Sequence, residues 1–167
     1  MSLARSFARS VALAAFVLMP AAAHAQKVNP ALLGGYDAVL YKGKPLPATD
    51  RFSVRNGFQH AAKLQQMYIV LRPNGTFTAG AQYAVDYRRA ADKRPLPPLV
   101  DETVRGRYTL NGATINFVPE KTSRNNVIRP TGGTVGGGTM KVRYMLSLAT
   151  GTEVLDVAFK RNPNLLY

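Results

Sequence analysis

Apolar residues recur at every second position through most of this chain, and the runs are separated by glycine-bearing turns. That combination restricts the fold more than any other feature, because period-two alternation puts one apolar face on a strand and a helix cannot use it. The clearest run sets Phe77, Ala79, Ala81, Tyr83, Val85 and Tyr87 against Thr76, Thr78, Gly80, Gln82, Ala84 and Asp86. A strand over Leu64 to Leu71 precedes it, joined through Pro73-Asn74-Gly75. Asn-Gly suits a tight hairpin because these residues tolerate positive φ best.

The device repeats. Val104, Tyr108 and Leu110 alternate with Arg105, Arg107 and Thr109, and Asn111-Gly112 turns the chain into Ala113, Ile115 and Phe117. Gly136-Gly137-Gly138 leads into Met140, Val142, Tyr144, Leu146 and Leu148, set against Lys141, Arg143 and Ser147. Thr150-Gly151 then turns into Leu155, Val157 and Phe159. With Tyr36 to Tyr41 at the start, the pattern predicts an all-β domain of about eight strands, mostly joined as sequence neighbours. Asn56 to Gln65 is left as room for a helical turn or two. An up-and-down barrel suits that order, since closure removes exposed edges, and a two-sheet sandwich is the alternative. Residues 88–102, with Pro95, Pro97 and Pro98, read as a long loop across one barrel end, because proline cannot donate to a ladder.

The N-terminus has a different character. Arg5 and Arg9, an apolar run from Val11 to Met19, and the small residues Ala23 and Ala25 make a cleavable signal peptide over residues 1–25, leaving Gln26 as the new terminus. The run is too short for a membrane-spanning helix, which needs about 20 residues. Residues 26–167 are the length of one domain, and the expected location is periplasmic or secreted. The chain has no cysteine, which excludes disulfides, thiolate metal sites and cysteine nucleophiles. With the leader gone, 20 Lys and Arg face nine Asp and Glu, a balance of +11. Outside the cytoplasm such a surface meets lipid headgroups, lipopolysaccharide, acidic glycans and acidic proteins, so nucleic acid is not an expected partner.

The glycine-opened first strand, the meander and the leader together resemble the lipocalin-like small barrels of bacterial envelopes. In that family a Gly-x-Trp motif starts the first strand, and a basic residue near the last strand packs over the ring. Gly34-Gly35-Tyr36 stands at the matching place, with Lys160 or Arg161 after the last strand, although the chain contains no tryptophan. The resemblance implies a ligand-holding cup without naming the ligand.

Candidate chemistry is sparse. His60 is the only histidine after the leader, lies in a polar stretch, and reads as a surface residue. One histidine without cysteine does not make a zinc site, so no metal and no cofactor is expected. Asp101 and Glu102 are adjacent and would point to opposite faces of a strand. The glycines at 132–138 lack the Lys-Ser or Lys-Thr of a phosphate loop. The expectation is therefore a non-enzymatic barrel holding a small apolar or amphipathic ligand among Phe77, Tyr83, Val85, Tyr108, Phe117 and Tyr144, where rings neighbour small residues such as Ala79, Ala81 and Gly106. The alternative is an adhesion or interaction module that presents Arg105, Arg107, Lys141 and Arg143 to anionic envelope surfaces. A small outer-membrane barrel is a third possibility; it would turn those four basic residues toward lipid, at about 2–4 kcal/mol each near the midplane.

Overall fold

A computed structural model of the protein describes residues 29–53, 55–120, 127–148 and 150–165. The predicted leader and its cleavage site lie outside them. The chain runs β1 (Gly34–Tyr41), β2 (Lys44–Pro45), β3 (Ala48–Ser53), β4 (Phe58–Leu71), β5 (Thr76–Arg89), β6 (Val100–Asn111), β7 (Thr114–Pro119), β8 (Ile128–Gly136), β9 (Thr139–Leu148) and β10 (Gly151–Asn162). All ten strands belong to one antiparallel sheet, in the order β2-β1-β10-β9-β8-β7-β6-β5-β4-β3, and an added β1–β4 pairing closes eight of them into a ring. The fold is all-β, as the alternation requires.

The turns form where glycine permits them. Between β4 and β5 the Gly75 amide donates to the Arg72 carbonyl at 3.1 Å, and Gly75 has φ +76°. Asn74 keeps a negative φ, so this is a three-residue loop closed by a left-handed glycine rather than a two-residue Asn-Gly turn. Gly137 and Gly138, at φ +57° and +74°, are both left-handed and make the two-residue turn from β8 to β9. Asn111 pairs with Thr114, so Ala113 belongs to the turn rather than to β7.

Alternation then decides the core. Phe77, Ala79, Ala81 and Tyr83 of β5 face Val104, Tyr108 and Leu110 of β6, with Ile115 and Phe117 beside them, and all are buried in one apolar cluster. Met140, Val142, Tyr144 and Leu146 of β9 and Leu155, Val157 and Phe159 of β10 complete it. Tyr87, the last ring of the β5 row, is 43% exposed at the end of the ring.

Three expectations change. β4 begins at Phe58, so the segment left open for helix is strand apart from a short 3₁₀ turn that takes in Asn56 and Gly57. His60 therefore falls in the inward row with Ala62 and Leu64; it is 3% exposed and not a surface residue. The irregular segment is shorter than 88–102, because β5 runs on to Arg89 and β6 starts at Val100. Its anchors lie on the outward row of β5. The Arg94 guanidinium meets Asp86 at 3.1 Å, and buried Arg88 donates to the carbonyls of Arg94 and Pro95. The loop is thus tied to the outside of β5.

Opposite ends of the chain meet at the start of β1. Arg161 stands directly across from Tyr36 and donates to the carbonyls of Ala31 and Leu33, each at 3.0 Å, while the Tyr36 hydroxyl donates to Leu32 at 3.0 Å. A 3₁₀ turn at Pro30–Leu32 is held there by both.

Candidate functional site: a packed interior and a basic outer wall

The six residues expected to hold a ligand do converge. Phe77, Tyr83, Tyr108, Phe117 and Tyr144 are all in the buried cluster, and Val85 packs against it half-buried. They meet as a core. Phe77 and Phe117 stand edge to face at 4.9 Å, and Tyr144 stacks on Phe159 at 6.2 Å. The hydroxyls are mostly used within the protein. Tyr83 donates to Glu102 at 2.6 Å, and Tyr108 donates to the Arg72 carbonyl at 2.7 Å. Burial pushes the Tyr108 hydroxyl up to about 12. Asp101 and Glu102 point to opposite faces as expected, Asp101 taking the Gln82 amide at 3.1 Å on the outside.

Tyr144 is the exception. Its ring is 2% exposed, its hydroxyl has no hydrogen-bond partner among the described residues, and burial raises its pKa strongly. An unpaired buried hydroxyl costs about 1–3 kcal/mol of desolvation. Tyr144→Phe is therefore expected to stabilise the protein by about 1 kcal/mol or more in urea denaturation. A loss of stability in the variant would mean that the hydroxyl has a partner after all.

His60 is engaged as structure. Its Nε2 lies 2.7 Å from Thr150 Oγ1, its ring centroid is 4.9 Å from that of Tyr87, and Nδ1 has no partner among the described residues. Burial lowers its pKa, opposed by the charge of Glu153. Among the described residues no three of His, Cys, Asp or Glu gather as a metal ion would need. No described helix is long and apolar enough to cross a membrane.

The four basic candidates all occupy outward positions and are exposed. None takes part in the ion pairs formed among the described residues, which involve Lys42, Arg88 and Arg94. They form two groups rather than one. Arg105 and Arg107 lie on β6, and Lys141 and Arg143 lie on β9, separated by β7 and β8. Three strand spacings put about 14 Å between the groups.

The β9 pair borders a half-open concavity of about 600 Å³ that sequence reading did not locate. Leu40, Lys42, Asp156 and Ala158 line one side of it, and Thr114 and Thr134 the other. Only the register of five strands brings these residues together, and no local pattern carries that register. Compared with family models, with curated proteins and with solved structures, the chain matches none.

Proposed function

We propose that the protein is an exported, non-enzymatic, eight-stranded up-and-down barrel of lipocalin-like type that acts as an interaction module for anionic envelope surfaces, binding through its outer wall. One observation carries this reading: Arg105, Arg107, Lys141 and Arg143 are exposed without ion-pair partners among the described residues, while the interior rings pack on one another. The ring closed between sequence neighbours supports the barrel, and Arg161 over the start of β1 supports the lipocalin-like resemblance. The one histidine among the described residues, His60, is buried and already bonded to Thr150, which supports a role without catalysis.

Cosedimentation with vesicles tests it. The protein is expected to pellet with vesicles containing acidic phospholipid and not with neutral ones. Raising salt from about 0.05 M to about 0.5 M should release it, because the Debye length shrinks about threefold. Replacing all four basic residues by serine should weaken attachment by about 1 kcal/mol per charge. Equal attachment to neutral and acidic vesicles would sink the reading.

A second reading keeps a small apolar or amphipathic ligand inside the barrel. The Tyr144 hydroxyl, without a partner among the described residues, favours it, since a ligand acceptor would satisfy that group. Native mass spectrometry of protein purified from its own periplasm would show such a molecule as a mass that Tyr144→Phe reduces.

A further inference from the structure

The outer wall of a closed ring is convex, so a concavity on it needs a cause. Here it lies over a row of residues running across the strands, of which Ala158, Thr134 and Thr114 are small. Leu40 on β1 stands opposite Ala158 on β10, Ala158 opposite Lys141 on β9, Lys141 opposite Thr134 on β8, and Thr134 opposite Thr114 on β7. The next row sets Asp156, Arg143 and Gly132 in line, and of these Asp156 and Arg143 line the groove. Past Leu40 the chain leaves the wall in the left-handed pair Lys42-Gly43, at φ +46° and +77°, which raises a rim along that side.

Chemistry changes along this groove in one direction. Its β1–β10 end carries Leu40 and Ala158 beside Lys42 and Asp156, its middle is cationic, and its β7–β8 end offers two hydroxyls. The lining as a whole is predominantly apolar, and the stems of Lys141 and Arg143 can lie along such a surface while their charged heads stay in water. Lys42 is not a free charge here. Its ammonium turns away to Asp50 at 2.8 Å and lies 4.8 Å from the centre of the Phe52 ring. The charges left to the groove are those of Lys141, Arg143 and Asp156, the last directly across from Arg143, so the cations are in excess.

From this juxtaposition we infer that the groove is a binding site for a single-chain amphiphile with a phosphate head group. The acyl chain lies across Leu40 and Ala158. The head group sits over Lys141 and Thr134, where the Arg143 guanidinium meets two of its oxygens as a planar fork and Lys141 adds a point charge. The Thr134 and Thr114 hydroxyls complete its hydrogen bonds. Four strand spacings give the row a length of about 19 Å, enough for a chain and its head group together. A volume of about 600 Å³ lies within the range of small-molecule sites. The inference deepens the proposed outer-wall function, because Lys141 and Arg143 belong to both.

Calorimetric titration of the protein with dodecyl phosphate, held below its micelle concentration, tests the site. Inorganic phosphate and dodecyltrimethylammonium serve as the head-only and wrong-charge probes. Dodecyl phosphate is expected to bind at one per chain, with the other two weaker by about tenfold or more. Lys141→Ser with Arg143→Ser should lower its affinity by about tenfold or more. Ala158→Glu, which sets a carboxylate beside Lys141 and narrows the β1–β10 end, should do the same, with the thermal midpoints of both variants checked for an intact fold. Equal binding of all three probes, no binding of dodecyl phosphate, or unchanged affinity in both folded variants would overturn the site. Vesicle attachment with no dodecyl phosphate binding would remove the groove and leave the surface reading standing. Dodecyl phosphate binding without vesicle attachment would do the reverse.

Discussion

Tyr108→Ala is expected to lower the free energy of unfolding by about 3–5 kcal/mol, the range for truncating a packed aromatic. The ring is 4% exposed in the middle of the β6 inward row, opposite Phe117 on β7. Its hydroxyl reaches the Arg72 carbonyl at 2.7 Å, and its own amide donates to the Gly75 carbonyl at 2.9 Å. Side chain and backbone therefore both fasten β6 to the β4–β5 turn. Tyr108→Phe separates the two contributions. It keeps the ring and removes only the bond to Arg72, so about 1 kcal/mol should be lost. Urea denaturation of the three proteins measures both steps. A loss below about 1.5 kcal/mol for Tyr108→Ala, with gain of binding by an apolar fluorescent probe, would mean that the ring borders open space. The interior-ligand reading would then take precedence over the outer wall.

What the sequence made legible was local. Alternation over residues 76–87 and 104–117 put Phe77, Tyr83, Tyr108 and Phe117 on the inward face, because one polar–apolar period decides a strand's two sides. Gly75 and Gly137-Gly138 marked turns for a reason that holds in any fold. Errors arose where the signal was short or was overridden by packing. β3 carries Ala48, Asp50 and Phe52 inward, and a single aromatic in six residues did not reveal it. His60 looked solvated among polar neighbours, yet β3 pairs with β4 at that place and Phe52 stands directly opposite the histidine. The proline-bearing loop was legible as a loop. Its attachment was not, because buried Arg88 reaches carbonyls six and seven residues ahead.

The two sets of candidate residues illustrate a deeper limit. Apolar residues and basic residues could each be assigned a face of the sheet, but a face is not a site. Whether rings on one face enclose space depends on volumes contributed by strands far apart in sequence. Whether Arg105 and Lys141 act together depends on how many strands separate them. The groove beside Lys141 exists because Leu40, Ala158, Thr134 and Thr114 fall into one register across the sheet. That register is set by one bulge in β1 and another in β8, neither of which alternation announces.

Gly106 gives the most direct test of whether the interior is filled. It stands opposite Phe77 across the β5–β6 ladder, and the ring of Phe77 lies over it. A methyl group at position 106 would come within 2.8 Å of Phe77 Cε1 and 2.8 Å of Pro119 Cα, and it would collide with the carbonyl oxygen of Val118. The backbone at Gly106 is not left-handed, so the penalty is steric alone. A ring can rotate away, but a carbonyl in a strand paired with β6 moves only with its ladder. Gly106→Ala is therefore expected to cost about 3 kcal/mol, at the upper end for overpacking a core. Gly136→Ala is the control on the same kind of strand, since its added methyl meets nothing within 4 Å, and its stability should change by less than about 0.5 kcal/mol. Combining Gly106→Ala with Phe77→Leu should recover none of the clash with Val118 while adding the loss of a packed ring, so the double variant is expected to be less stable than either single one. If Gly106→Ala proved as harmless as Gly136→Ala, the space over β6 would be open. Tyr83, Tyr108 and Phe117 would then line a cup rather than a core.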